Sequence, residues 1–474
     1  LSHIFANKYL VLAILIFFMT SPAGLLPTEK AYGFTVSEER EVGEKLLSIV
    51  RTEFDLLDEP DITQYITRIG REVLKEAGPQ YFDYHFFMVK DKEVNAFAAP
   101  SGLIFLNSGL IELLESENEM AGVLAHEAGH IVSRHYANRI KKSTKANIAT
   151  AAMILAGIAA GGGAVSEALI TGGMAANASM NLKFSRDDEK ESDQLAVKWM
   201  KDEGRDPEAI VEVLQELRRV SLYRSGNLPP YLLTHPEPEV RMGYVEDLLL
   251  FGAKGEYKKI DEFDFTRMKY RVLSLTKSPQ VLISHFKEKM TADAKDSSAL
   301  AMDKYGLALA LQASAEYNAA EKYLQEVILQ FPTHTILQTD LGVLYFESGR
   351  YAEALKILNR SWDQDRDNSY TAYHLARTLE QTGNIDRALQ LYDELLAVQP
   401  DYSTLYYRLG SLYAQKGLKG EGYYYLGLYH WYEGDAKIAT QNLNTALQGL
   451  KKENPFYEKT RTMIAKIDRL ENIR

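Results

Sequence analysis

Three of the ten histidines in this 474-residue chain lie within "VLAHEAGHIVSRH", residues 123 to 135. On a helix, His126 and His130 stand at i and i+4, so both imidazoles project from one face and can share a metal ion. Glu127 lies between them and points beside such an ion, where it can take a proton from an attacking water. Two ligands and a general base thus fall on little more than one turn. His135 is five residues past His130. On a continuous helix that offset turns it off the ligand face, so it reads as a surface or supporting residue.

A catalytic zinc site uses a third protein ligand and leaves a fourth position for water. The chain contains no cysteine, which removes thiolate ligands, disulfides and thiol catalysis together. The third ligand must then be an acid or a histidine on another element. "FSRDDEKESDQLAV" offers Glu189 and Asp193, again i and i+4 on one face. Asp187, Asp188 and Glu191 beside them read as a solvated face.

The elements that must carry these residues are also visible. "ENEMAGVLAHEAGHIVSRHYANRI" (117–140) has apolar residues at helical spacing and no proline, which predicts one long helix. "DDEKESDQLAVKWMKDEG" (187–204) predicts a second helix, stopped at Gly204. "YFDYHFFMV" (81–89) alternates like a strand, and "NAFAAPSGLIFLNSGLIELL" (95–114) reads as strand, turn, strand and helix start.

Around this core the chain is ordinary in composition: 46% hydrophobic and 25% charged residues indicate globular domains. A net charge of −11 excludes nucleic acid as the main partner, because phosphate binding needs a basic footprint. Lys8, the apolar run Tyr9 to Met19 and the small-x-small site Ala31-Tyr32-Gly33 predict a secretory signal peptide over residues 1–33. The uncharged stretch 146–166 is rich in Ala and Gly. It is expected to cover the active site, with peripheral membrane contact as the alternative.

From about residue 299 an internal repeat begins. Small residues recur every 34 positions at Ala308, Gly342, Ala376 and Gly410, and again at Ala320, Ala354, Ala388 and Gly422. Gly349, Gly383 and Gly417 share the spacing. Such a period, with small residues where paired helices cross, is the signature of tetratricopeptide repeats. Stacked repeats form a concave face, and Tyr345, Tyr370, Tyr373, Tyr406, Tyr407 and Tyr413 are candidates either to line a peptide groove there or to pack between repeats. The stretch 423–447 reads as an irregular cap.

Together "AHEAGH", "SRDDEKESD" and "NAFAAPSG" resemble the zinc metallopeptidases related to HtpX and to the CAAX prenyl proteases. The resemblance implies one Zn2+ per chain, a third ligand at Glu189, and support of a ligating histidine by Asp193. It also implies substrate pairing along an edge strand at Asn95, Ala96 and Phe97. "THPEPEVRM" (234–242) is similar to a further family segment, which places His235 over the metal and assigns Arg241 to the site's surroundings. His235 would either stabilise the oxyanion or bind zinc as a fourth ligand and hold the enzyme off.

The expected fold is mainly α. An α+β, zincin-like metallopeptidase domain with a small sheet (34–250) is followed by a helical connector (251–298) and an α-solenoid of tetratricopeptide repeats (299–474). This layout is similar to that of family members acting in outer-membrane protein quality control in the periplasm of Gram-negative bacteria. It implies an exported endopeptidase, soluble or peripherally membrane-associated, whose clients are unfolded or stalled outer-membrane proteins. The repeats would bind clients or the β-barrel assembly machinery. The competing reading is a chaperone or scaffold with latent proteolysis.

Overall fold

The structure, a computed structural model, describes residues 35–136, 138, 184–223, 228–251, 255–292 and 296–471. The predicted signal peptide and the Ala/Gly stretch 146–166 lie outside the described residues. Among those described, no helix is long and apolar enough to cross a membrane.

The first half opens with α1 (Val36–Glu53), whose capping box pairs Thr35 with Glu38. Next comes α2 (Pro60–Lys75), which buries Ile62, Ile66, Ile69 and Val73 at helical spacing. Strands β1 (His85–Val89), β2 (Ala96–Ala99) and β3 (Leu103–Asn107) form a sheet in the order β1-β3-β2. β1 runs parallel and β2 antiparallel to β3, so β2 is an edge. Then follow α3 (Ser108–Leu113), α4 (Glu117–Val132), α5 (Arg186–Glu203), α6 (Glu208–Tyr223), α7 (Pro230–Thr234) and α8 (Pro238–Phe251).

Nearly all of α4 is buried, and its sequence explains how. A Cβ added at Gly129 would come within 3.0 Å of the Ser192 backbone on α5, and one at Gly122 within 3.1 Å of Ile210 on α6. The glycines therefore let α5 and α6 lie close against the helix that carries His126 and His130. The helix ends earlier than the sequence predicts. Val132 is its last residue, and Arg134 takes a left-handed backbone, φ 52°. No Gly or Pro announces that end.

Residues 251–298, weakly periodic in sequence and expected as a helical connector, include two helices, α9 (Phe263–Thr276) and α10 (Pro279–Ala292). α9 belongs to both hydrophobic cores. Phe265, Met268 and Val272 join the first, and Phe263, Tyr270 and Leu273 the second.

The second core is built from α11 (Ser297–Ala313), α12 (Tyr317–Gln330), α13 (Ile336–Glu347), α14 (Tyr351–Gln364), α15 (Ser369–Gln381), α16 (Ile385–Val398), α17 (Ser403–Gln415) and α18 (Lys419–Tyr432). The 34-residue period has its physical cause here. Gly349, Gly383 and Gly417 sit at φ 78–81° and end alternate helices, while a Cβ at Gly342 would overlap Leu358 of the paired helix. The irregular stretch 423–447 folds as the end of α18 and most of α19 (Ala436–Gly449), followed by α20 (Pro455–Glu471).

The repeats face the first domain directly. Gln64 of α2 hydrogen-bonds the Asp367 carbonyl and the Ser369 amide, Gln399 bonds the Pro60 carbonyl, and Ser403 bonds Asp58. Tyr370 is buried beneath Arg267 and Arg271 of α9, and Tyr406 is buried and stacks on Tyr432. Of the six tyrosines offered for a groove, Tyr407 is well exposed at 46%.

Candidate metal centre

Crossing α4 with α5 brings His126, His130 and Glu189 together, and the turn after α7 adds His235. One ligand atom from each of the four lies within 4.8 Å of the others, and all four residues are buried. His126 Nε2 is 3.1 Å from His130 Nε2 and 3.3 Å from His235 Nδ1. Glu189 Oε1 is 3.0 Å from His235 Nδ1 and 3.6 Å from His130 Nε2.

These separations test whether the residues fit an ion. Bonds of about 2.0–2.1 Å in a tetrahedron put neighbouring donors about 3.3 Å apart. Four ligand-type side chains at that spacing match a metal's donor set. A second observation agrees. Neither oxygen of the wholly buried Glu127 carboxylate has a hydrogen-bond partner, nor does His235 Nε2, which lies 3.5 Å from Glu127 Oε1. A buried carboxylate left unpaired costs several kcal/mol by order of magnitude. An ion and its water are what such a group is suited to meet.

The surroundings aim the ligands. His126 Nδ1 donates to Asp193 Oδ1 at 2.7 Å, which leaves Nε2 free to ligate. Arg241 clamps Asp193 at 2.7 and 2.9 Å and reaches Glu189 at 2.9 Å, and the Tyr244 hydroxyl also donates to Asp193. Burial and Arg241 would lower His126, but Asp193 and Glu189 outweigh them and lift it to about 9. Burial and its histidine neighbour push His130 well down. Burial would raise Glu189 and Asp193, yet His235 and Arg241 hold Glu189 far below the usual carboxylate range, and Arg241 and His126 hold Asp193 low. Both acids therefore stay ionised, as ligand and orienter require.

β2 is an edge strand packed beside α4; Asn95 precedes it, Ala96 and Phe97 lie in it, and all three are buried. The Phe97 ring stacks on Phe105 within the sheet, which leaves backbone pairing as the role open to this segment. The Val94 carbonyl already accepts from the Tyr231 amide of α7.

Sequence reasoning missed several neighbours. Phe184 stacks on His130 at 3.8 Å and Tyr231 on His235 at 4.4 Å. His135, placed off the ligand face by helical spacing, is buried and lies with Nδ1 3.0 Å from His130 Nδ1. The early end of α4 is the reason: the turn at Arg134 folds His135 back beneath the ligand. The run "SRH" carries no conventional stop signal by which this could have been read.

Residues 60–248 match the model of Peptidase family M48, and residues 311–372 and 345–415 match that of the Tetratricopeptide repeat. The chain is similar to the beta-barrel assembly-enhancing protease of Escherichia coli K12, at 26% identity over 396 residues, covering 75% of this chain and 79% of the relative. The Yersinia pestis protein of the same name is 25% identical over 406 residues, 84% of this chain and 82% of the relative. Mitochondrial metalloendopeptidase OMA1 of Schizosaccharomyces pombe is 28% identical over 191 residues, 40% of this chain and 53% of the relative.

Proposed function

Because the chain carries a metallopeptidase domain of family M48 followed by tetratricopeptide repeats, we propose that it is an exported zinc-dependent endopeptidase. Its substrates would be misfolded or stalled envelope proteins, in quality control of outer-membrane protein assembly. The carrying observation is the convergence of His126, His130 and Glu189 beside the buried carboxylate of Glu127, which has no hydrogen-bond partner. Similarity to proteins named beta-barrel assembly-enhancing protease supports a role in β-barrel assembly.

Zinc held by His126, His130 and Glu189 would supply the Lewis acidity that polarises the scissile carbonyl and acidifies water. Glu127 accepts the proton of the attacking water at a carboxylate oxygen and passes it to the leaving amine. Asp193 keeps His126 in the tautomer that presents Nε2, and Arg241 fixes Asp193 and Glu189 in place. Substrate backbone would pair with β2 at Asn95, Ala96 and Phe97. The repeats would engage clients or the β-barrel assembly machinery.

One observation favours the second reading, latent proteolysis. His235 Nδ1 lies 3.0 Å from Glu189 and 3.3 Å from His126, at the corner of the donor set that an attacking water would need. His235 would then be a fourth ligand that closes the site, and the repeats would act as a chaperone or scaffold meanwhile. Cleavage of an unfolded outer-membrane barrel protein by the purified chain tests both readings. Zinc-dependent cleavage lost in Glu127→Gln supports the enzyme, and faster cleavage by His235→Ala supports the block. Cleavage that persists in Glu127→Gln contradicts the assignment.

A further inference from the structure

His130 and His135 meet through their Nδ1 atoms at 3.0 Å. Two neutral imidazoles can do this only if one donates and the other accepts. His130 turns Nε2 into the donor cluster, so its proton sits on Nδ1. His135 must therefore accept at Nδ1 and carry its own proton on Nε2. That nitrogen faces the acids Glu191 and Asp188, at 3.5 and 3.6 Å.

The backbone is bent to achieve this contact. Arg134 adopts φ 52°, a region that a long side chain seldom enters. Its guanidinium is tied to the buried Glu39 of α1 at 2.6 and 2.9 Å, and Ser133 donates to Glu191 at 2.7 Å. These ties hold the turn on one side and the acid on the other. His135 itself is 3% exposed.

We infer that His135 is a positioning residue of the metal centre, which accepts the His130 Nδ1 proton and so fixes the tautomer and ring angle of that ligand. This inference rests on the metal-site reading above. It makes the two ligand imidazoles unlike in their backing: His126 is backed by the carboxylate of Asp193, and His130 by the imidazole of His135. Metal affinity then depends on a residue outside the H-E-x-x-H motif.

The test compares His135→Asn with His135→Phe. Asn Oδ1 stands as many bonds from Cα as His Nδ1 and can accept the same proton, whereas Phe fills the space without an acceptor. Zinc affinity is measured by chelator competition, alongside kcat and KM for a short peptide. His135→Phe is expected to weaken zinc binding about 10–100-fold, with His135→Asn close to the parent protein. Equal losses in both variants, or no loss in either, overturn the inference while leaving the metal-site reading intact. Failure of the parent chain to bind zinc overturns both. Should His135→Phe not fold, 15N-histidine NMR of the zinc-loaded parent decides: protons on His130 Nδ1 and His135 Nε2 support the inference, and a proton on His135 Nδ1 refutes it.

Discussion

Two clusters of buried charge stand in this molecule, and they are built on different plans. At the junction between the halves, Arg267 of α9 reaches Asp340 of α13 at 2.7 Å and Asp61 of α2 at 2.9 Å. Arg271 meets Asp61 at 2.6 Å, Glu59 at 3.3 Å and the Tyr370 hydroxyl at 2.9 Å, and Tyr305 donates to Asp340. Every acid there faces a cation or a donor. Burial would raise Asp61, but the two arginines win and hold its carboxyl low. At the metal centre Arg241 pairs Asp193 and Glu189 in a similar way, but the imidazoles of His126, His130 and His235 converge beside Glu189. Ring nitrogens approach to 3.1 Å, and neither oxygen of the Glu127 carboxylate has a hydrogen-bond partner. A closed network holds two domains together, whereas a convergent, incomplete one calls for something from outside.

Glu127→Gln removes the proton acceptor but not a ligand, so cleavage should fall about 10²–10⁴-fold. Zinc content and melting temperature should stay unchanged. A large loss of zinc in this variant would show that Glu127 belongs to the ligand set instead.

The junction should respond in the other currency. Arg267→Met leaves Asp340 and Asp61 buried with less compensation, which costs about 3–5 kcal/mol when one partner of a buried pair is removed. Denaturant unfolding should register that loss, while zinc still binds one per chain. Wild-type stability in the variant would mean that the network contributes nothing net to domain docking.

The smallest effect concerns the rim of the same contact, where His85 of β1 pairs with Asp401 of the repeats. The hydrogen bond to Asp401 raises His85. Burial would raise Asp401, but His85 and Arg51 outweigh it and lower it. A raised histidine stabilises fully below its unfolded value near 6.5 and loses this as pH climbs through the folded one. A lowered aspartate stabilises above about 3.9 and loses this as pH falls through the folded one. The pair should therefore contribute most between about pH 4 and 6.5, by about 1 kcal/mol at most given its partial exposure. Melting curves of the parent and His85→Gln should converge above that window; a constant gap at all pH values would assign the effect to packing.

The two clusters also differed in how far the sequence disclosed them. His126, Glu127 and His130 announce themselves because helical periodicity converts spacing into direction, and Glu189 and Asp193 follow the same rule on a second helix. The 34-residue period likewise exposed the repeats, since Gly349, Gly383 and Gly417 must each adopt a left-handed turn. Neither the junction nor His135 had such a local signal. Asp61, Arg267 and Asp340 come from three distant segments, and α9 looked weakly periodic because its arginines are buried by pairing rather than exposed. Arg134 ended α4 without a glycine, so spacing alone left His135 open between a surface and a supporting residue.

Metal binding by His126, His130, Glu189 and His235 is the property on which the proposed chemistry depends. X-ray absorption at the zinc edge of the purified, dialysed chain addresses it directly. One zinc per chain is expected, bound only by nitrogen and oxygen at about 2.0–2.2 Å, with at least two imidazoles in the ligand shell. A chain that holds no stoichiometric metal after equilibration with zinc, or that holds it equally well as His126→Ala, would contradict it.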